Sequence, residues 1–167
     1  MPMRFLHALF ALVALAGLSF AGAGITDPYM EAKYQSVECY AMFADDLISY
    51  TQDLYNANDP PAPESLEQMR DDLWDEGGMM YNLYMYGVDG NRASFNSQVR
   101  TVMSQVNLMK ATFRADARAG ILAGWFPVAP YPNLRAELMD FYGSERSGLQ
   151  SCLGGAEIDP PPIPDPR

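Results

Sequence analysis

The side chains that could do chemistry in this chain of 167 residues are carboxylates, thioethers and two thiols. Its only histidine, His7, lies in an apolar N-terminal segment that we expect to be removed. Without histidine, the rest of the chain cannot build a Ser–His or Cys–His nucleophile pair, a histidine-ligated haem or a Glu-x-x-His di-iron site. Two cysteines alone are too few ligands for structural zinc. We therefore predict a protein that is not an enzyme and that uses no cofactor.

Carboxylates and methionines leave two weaker metal hypotheses. An acidic run lacks the Asp-x-Asp/Asn-x-Asp/Asn-Gly order of a calcium-binding loop, which favours a solvated helix face. Nine methionines lie outside the N-terminal segment, and thioethers select Cu(I). These methionines are dispersed through core-like positions without an M-x-M or M-x-x-M run, which favours a packing role. The acidic run consists of Asp71, Asp72, Asp75 and Glu76.

The two cysteines, Cys39 and Cys152, are expected to form a disulfide bond. An exported chain folds in an oxidising compartment, and two cysteines allow one intramolecular pairing. One intermolecular bridge, or two free thiols, are the alternatives.

One layer of the predicted fold combines a carboxylate with little side-chain volume. Gly77 and Glu145 each lie 12 residues after a predicted helix-capping residue, Ser65 and Asn133 respectively. Two helices that run the same way therefore place both residues about 18 Å along their axes. This predicts an interior pocket, unless a kink at Gly143 turns the carboxylate to solvent. The pocket residues would be Glu145, Gly77, Met80, Tyr84 and Met103.

An unusually apolar connection follows the third predicted helix. Residues 120–132 place Trp125, Phe126 and Tyr131 among glycines and prolines, whereas loops usually carry polar turn residues. Such a segment either folds over the end of the core or presents an exposed patch to a partner. These three aromatic residues are the candidate partner contacts.

Four amphipathic segments would position these side chains. In the clearest segment, apolar residues recur at intervals of four and three, which places them on one stripe of an α-helix. That stripe is Phe95, Val99, Val102, Val106, Met109 and Phe113. Similar stripes predict helices over about 28–57, 65–87, 92–119 and 133–153. The predicted fold class is therefore all-α, an up-down-up-down four-helix bundle, whose first helix is apolar over enough of its surface to touch more than one neighbour.

Both ends of the chain fall outside the predicted bundle of residues 24–155. Arg4, the apolar run 5–20 and the small residues 21–23 match a signal peptide, so we expect cleavage after Ala23 and export to the periplasm or extracellular space. An uncleaved anchor is the alternative, although the run is shorter than the roughly 20 residues of a membrane span. No later segment is predicted to span a membrane. Residues 156–167 contain five prolines and are predicted to form a disordered tail.

Charge is distributed unevenly along the mature chain. Its 10 basic and 21 acidic residues give a net charge of −11, which would repel nucleic acid. Residues 24–90 hold 14 acids and 2 bases, whereas residues 91–153 hold 4 acids and 7 bases. Attraction between the two halves is the favoured interpretation, and an acidic face for a cationic partner is the alternative. We expect an exported protein that acts through a protein partner or homo-oligomer; the alternative is a carrier of a small ligand or metal.

Overall fold

The computed structural model describes residues 27–58, 60–86, 92–127 and 130–154, which form four helices and no strand. Helix α1 spans Pro28–Asn58, α2 spans Glu64–Tyr86, α3 spans Arg92–Ala123 and α4 spans Leu134–Cys152. The all-helical prediction is confirmed, and the four helices are consistent with a bundle. The predicted signal peptide and the predicted tail lie outside the described residues.

Side chains cap the starts of two helices. Asp27 Oδ1 accepts a hydrogen bond from the Tyr29 N–H at 3.0 Å at the start of α1. Asn133 Oδ1 accepts one from the Ala136 N–H at 2.9 Å at the start of α4. Each side chain thereby satisfies an N–H that the helix itself leaves without a partner. Helix α2 begins one residue before Ser65, so Ser65 is inside the helix and is not its cap.

Helix α3 is longer than the sequence predicts. It ends at Ala123 rather than near residue 119, because Gly120 continues the helix instead of opening the loop. Gly124 then adopts a φ of +70°, a left-handed conformation that glycine enters without steric cost. The N–H of Trp125 donates to the Gly120 carbonyl at 2.9 Å, which turns the chain back over the helix end.

Helices α1 and α3 form the centre of the bundle and run in the same direction. At one end the Tyr29 hydroxyl donates to Asn96 Oδ1 at 3.0 Å, and at the other Asn58 bonds the backbone of Phe126. Helix α2 packs on one side of this pair and α4 on the other. No Cα atom of α2 approaches within 8 Å of a Cα atom of α4, both of which are described over their full length.

The central pair divides the apolar core into two clusters. Helix α1 contributes to both, which accounts for its broad apolar surface. The α2-side cluster is Met30, Val37, Ala41, Ala44, Ile48, Leu66, Leu73, Met80, Phe95, Val99, Val102, Val106 and Met109. The α4-side cluster is Cys39, Phe43, Leu47, Leu54, Phe113, Ala117, Leu134, Leu138, Tyr142 and Leu149. The predicted layer that holds both Gly77 and Glu145 is therefore wrong, because α2 and α4 lie on opposite sides of the central pair.

Candidate functional site

A disulfide bond joins Cys39 of α1 to Cys152 at the end of α4, as the sequence predicts. The two Cα atoms are 5.9 Å apart, although the residues are separated by 113 positions in sequence. Further along, Tyr50 of α1 stacks on Phe141 of α4 with a centroid distance of 3.9 Å. The residue numbers of the contacting pairs increase along α1 and decrease along α4, so the two helices are antiparallel. The disulfide bond fixes α4 beside α1.

Glu145 does not face Gly77. It is half-buried on α4 and hydrogen-bonds Asp46 of α1, on the opposite side of the central pair from α2. Helix α4 continues unbroken through Gly143, so no kink turns Glu145 to solvent. Burial, and then the charge and hydrogen bond of Asp46, raise the pKa of Glu145 to about 7. A protonated Glu145 can donate to the Asp46 carboxylate.

Gly77 instead lines a groove between α1 and α2, which is the candidate site. This α1–α2 groove has a volume of about 220 Å³. It exists because two successive residues of α2, Gly77 and Gly78, have no side chains: a β-carbon on either would meet no heavy atom within 4 Å. The nine residues that line it are Tyr34, Glu38, Ala41, Trp74, Gly77, Gly78, Met80, Tyr81 and Val102.

Aromatic side chains mark the two ends of the α1–α2 groove. At one end Tyr34 of α1 stacks on Tyr84 with a centroid distance of 5.0 Å and lies tilted against Tyr81 at 5.8 Å. At the other end Trp74 donates its indole N–H to Asp45 Oδ1 at 3.2 Å. Trp74 is 47% exposed and Tyr81 is 40% exposed. Solvent therefore reaches two large aromatic side chains that border a cavity.

The charged side chain in the groove lining is acidic. The Tyr34 hydroxyl donates to Glu38 Oε1 at 3.2 Å, and burial followed by the Glu38 charge raises the pKa of Tyr34, so its hydroxyl remains a donor. The base that α2 carries, Arg70, is engaged elsewhere: it donates to both carboxylate oxygens of Asp45, at 2.8 and 3.1 Å, and to Gln52 at 3.2 Å. None of the nine lining residues is basic.

The five residues predicted to form a pocket are thus divided. Gly77 and Met80 line the α1–α2 groove, and Tyr84 belongs to the aromatic group at its end. Met103 packs against the α2-side cluster but does not line the groove. Glu145 is on the other side of the molecule. The structure therefore brings together the small and apolar members of the predicted pocket without its carboxylate.

Trp125, a candidate partner contact, packs over the end of the core. The half-buried indole lies on Gly120 of α3 and contacts Tyr55 of α1 edge-on, with a centroid distance of 4.9 Å. It also packs against the α4-side cluster. These contacts match the interpretation in which the apolar connection folds over the bundle end.

The other two candidate contacts differ from Trp125 in their environment. The side chain of Phe126 is 78% exposed, although its backbone N–H and carbonyl both bond the Asn58 amide, at 2.6 and 3.1 Å. Tyr131 donates its hydroxyl to Asp140 of α4. Of the three aromatic residues, Phe126 therefore presents the most apolar surface to solvent.

A second stripe of residues on α2 is the sequence signal for the groove. Trp74, Gly78, Tyr81 and Met85 are spaced four, three and four residues apart, so they form a second stripe on α2 beside its core-facing stripe. The helical pattern of α1 places Glu38 away from its apolar stripe, so that pattern alone does not bring it beside these residues. Joining the two required knowing which side of α1 packs against α2.

Within the described ranges, no three His, Cys, Asp or Glu side chains are placed so that they could hold a metal ion. In the same part of the chain, no helix has the length and apolar character that crossing a membrane requires. Comparison of the chain with protein-family models, curated proteins and solved structures gives no match. Function is therefore inferred from the geometry and charge of the α1–α2 groove.

Proposed function

We propose that this chain is an exported, non-enzymatic up-down-up-down bundle that acts by binding a basic protein partner. The contact surface is the α1–α2 face, defined as the α1–α2 groove together with the adjoining stripe of Trp74, Gly78, Tyr81 and Met85. The observation that carries the proposal is a groove bordered by exposed aromatic side chains, with an acidic and no basic lining residue. The pairing of the helices supports the topology, and the composition of residues 1–23 supports export.

Exposed apolar side chains on α2 support a contact role. Only Leu66, Leu73 and Met80 of this helix are buried, whereas Trp74, Tyr81 and Met85 are each at least 40% exposed. Aromatic residues and methionine are enriched at protein interfaces relative to other surfaces. One apolar side of α2 therefore packs on the core, and a second apolar side is exposed to solvent.

The charge of the same helices favours a basic partner. Residues 24–90 contain two basic side chains, and both of them bind other side chains of the same molecule. Arg70 pairs with Asp45, and Lys33 donates to the Tyr29 hydroxyl and to Asn96, each at 2.8 Å. The excess carboxylates attract a positively charged surface, speed its association and repel acidic proteins.

The size of the groove bears on the carrier alternative. Pockets that hold drug-sized ligands measure about 300–1,000 Å³. The α1–α2 groove, at about 220 Å³, is smaller and open to solvent. It suits one side chain of a partner better than a ligand that is enclosed and transported.

The experiment is a titration of the mature protein with a short Lys-Gly peptide and with the matching Glu-Gly peptide, followed by calorimetry at low and at physiological salt. The basic peptide should bind, more weakly as salt rises, and the acidic peptide should not. The double variant Glu38→Gln/Trp74→Ala should lower the affinity roughly tenfold. Phe126→Ser, at the loop end of the bundle, is the control and should leave it unchanged. Equal binding of both peptides, or no binding of either, would refute the proposal.

A further inference from the structure

The α1–α2 groove has the composition that recognises an ammonium group. The face of an aromatic ring attracts a cation through its quadrupole, and a neighbouring carboxylate adds charge attraction. Tyr34 and Tyr81 supply the rings at the end of the groove where Glu38 supplies the carboxylate, and Trp74 borders the other end. We propose that the groove receives the alkylammonium end of a lysine side chain from the basic partner. This inference rests on the proposed function and names the group that its contact surface recognises.

The chain already uses this chemistry at the end of the bundle. Lys33 Nζ and Arg92 Cζ lie 5.1 and 5.0 Å from the centroid of the Tyr29 ring. Arg92 also pairs with the carboxylate of Asp27. A tyrosine ring and a carboxylate at that end therefore hold cations of the same chain. The groove offers more rings and a carboxylate, but its nine lining residues include no base, so its cation would come from a second molecule.

The shape of the groove suits a straight methylene stem. Ala41, Met80 and Val102 give it apolar lining, and Gly77 and Gly78 leave the space that side chains on α2 would fill. A lysine side chain buries its methylene groups along apolar surface while its charged end stays near water. A lysine side chain that enters the groove would place its methylene groups against the apolar lining. Its ammonium group would then lie beside the Glu38 carboxylate.

The number of available carboxylates favours lysine over arginine. A guanidinium group gains most from a planar, two-point contact with a carboxylate. Asp45, beside the groove, already makes that contact with Arg70 and accepts from Trp74 as well. Glu38 is left as the acidic lining residue, and it accepts from the Tyr34 hydroxyl. A compact ammonium group needs one carboxylate and can also donate to that hydroxyl oxygen.

Three peptides that differ at one central position test the inference: lysine, arginine or norleucine, flanked by the same basic residues. Calorimetry with the mature protein should give an affinity for the lysine peptide that is roughly tenfold above that for the norleucine peptide, with arginine between them. Gly77→Leu fills the groove, and the first atom of the new side chain has room because nothing lies within 4 Å of its β-carbon. In that variant the three peptides should bind alike.

The matched control is Gly148→Leu on α4, where a β-carbon also meets nothing within 4 Å. This variant should keep the preference for lysine, and the melting temperatures of both variants show that each is folded. The groove does not recognise the ammonium group if lysine and norleucine peptides bind the unmodified protein equally, or if the Gly77→Leu variant keeps the preference for lysine. Binding of the basic peptides would in that case still support the proposed function. If no basic peptide binds, both proposals fail.

Discussion

Trp125 lies so close to Gly120 that a β-carbon on the glycine would be 2.7 Å from the indole Cε3 atom. The glycine sits inside α3, in ordinary helical backbone, so the reason for it is the approach of the indole rather than a turn. The indole cannot simply move outward, because Tyr55 contacts it edge-on and the backbone N–H of Trp125 is bonded to the Gly120 carbonyl.

Gly120→Ala should therefore destabilise the protein, against the usual trend. Glycine to alanine within a helix ordinarily gains about 1 kcal/mol, but overpacking costs typically 1–3 kcal/mol. We expect a net loss of roughly 1 kcal/mol in the free energy of unfolding, measured by urea denaturation. Gly148→Ala, in open space on α4, is the control and should show the usual gain. A gain in both variants would mean that the indole yields without cost.

The two neighbouring aromatic residues of the loop should respond differently to replacement by serine. Trp125→Ser removes a half-buried indole that packs against the α4-side cluster and should cost roughly 2 kcal/mol, about half the loss for a fully buried tryptophan. Phe126→Ser removes an exposed ring and should change stability by less than about 0.5 kcal/mol. Thermal and urea unfolding of both variants would show the difference, and equal losses would contradict the assigned roles.

The disulfide bond should contribute strongly to stability, because it closes a long loop. Replacing both Cys39 and Cys152 by alanine should lower the free energy of unfolding by roughly 2–5 kcal/mol, the usual loss for a native bond in a small exported domain. Alanine is chosen because Cys39 is buried, where a serine hydroxyl would need a partner. Chemical denaturation of the oxidised, reduced and double-alanine proteins measures the difference. The oxidised protein should be more stable than the other two, which should be about equally stable.

Stability should fall with rising pH because of Glu145. Its pKa is about 7 in the folded protein against 4.5 for the ordinary group. Between these values the folded state binds more protons than the unfolded state, so the contribution is fully present below about pH 4.5 and is lost as pH rises through about 7. Since Glu145 is only half-buried, solvent screening reduces the effect to roughly 1 kcal/mol.

Glu145→Gln should remove this decline. The glutamine amide can donate to Asp46 at every pH, so the variant should be more stable than the parent above neutral pH and nearly equal to it in acid. Urea denaturation across the range, with Glu64→Gln at an exposed position of α2 as control, measures the difference. Parallel pH curves for the Glu145 variant and the parent would show that the carboxyl pair does not influence folding.

The helices could be predicted because each carries its own periodic pattern. All six residues of the Phe95 to Phe113 stripe are buried, and Asp27 and Asn133 cap the helices they precede. Which helices pack against each other could not be predicted, because an apolar stripe does not determine which other helix buries it. Equal distances from the helix starts predict that Gly77 and Glu145 lie in one layer. Packing instead set α2 and α4 on opposite sides of α1 and α3.

The sequence pattern also could not predict which polar side chains are buried. Glu137, in the first turn of α4, is only 6% exposed and accepts a hydrogen bond from the Tyr50 hydroxyl at 2.5 Å. Nothing local distinguishes it from a solvated glutamate at a helix start, where a negative charge is favourable in any case. Its burial depends on Tyr50, which is 87 residues away in sequence. The groove lining was hidden in the same way, because Glu38 and Trp74 belong to different helices.

The central position of α1 and α3 implies that the bundle opens in steps rather than at once. Helix α4 is bonded covalently to α1, whereas α2 is held by noncovalent contacts alone. These are its buried Leu66, Leu73 and Met80, the partly buried Met69, Leu83 and Tyr84, and surface contacts such as that of Arg70 with Asp45. Because α2 and α4 do not touch, α2 can detach and reattach while the disulfide-linked three-helix unit keeps its amide protection. Hydrogen exchange would then be fastest along α2, and a partner seated on the α1–α2 face would slow it there without altering the rates in α4.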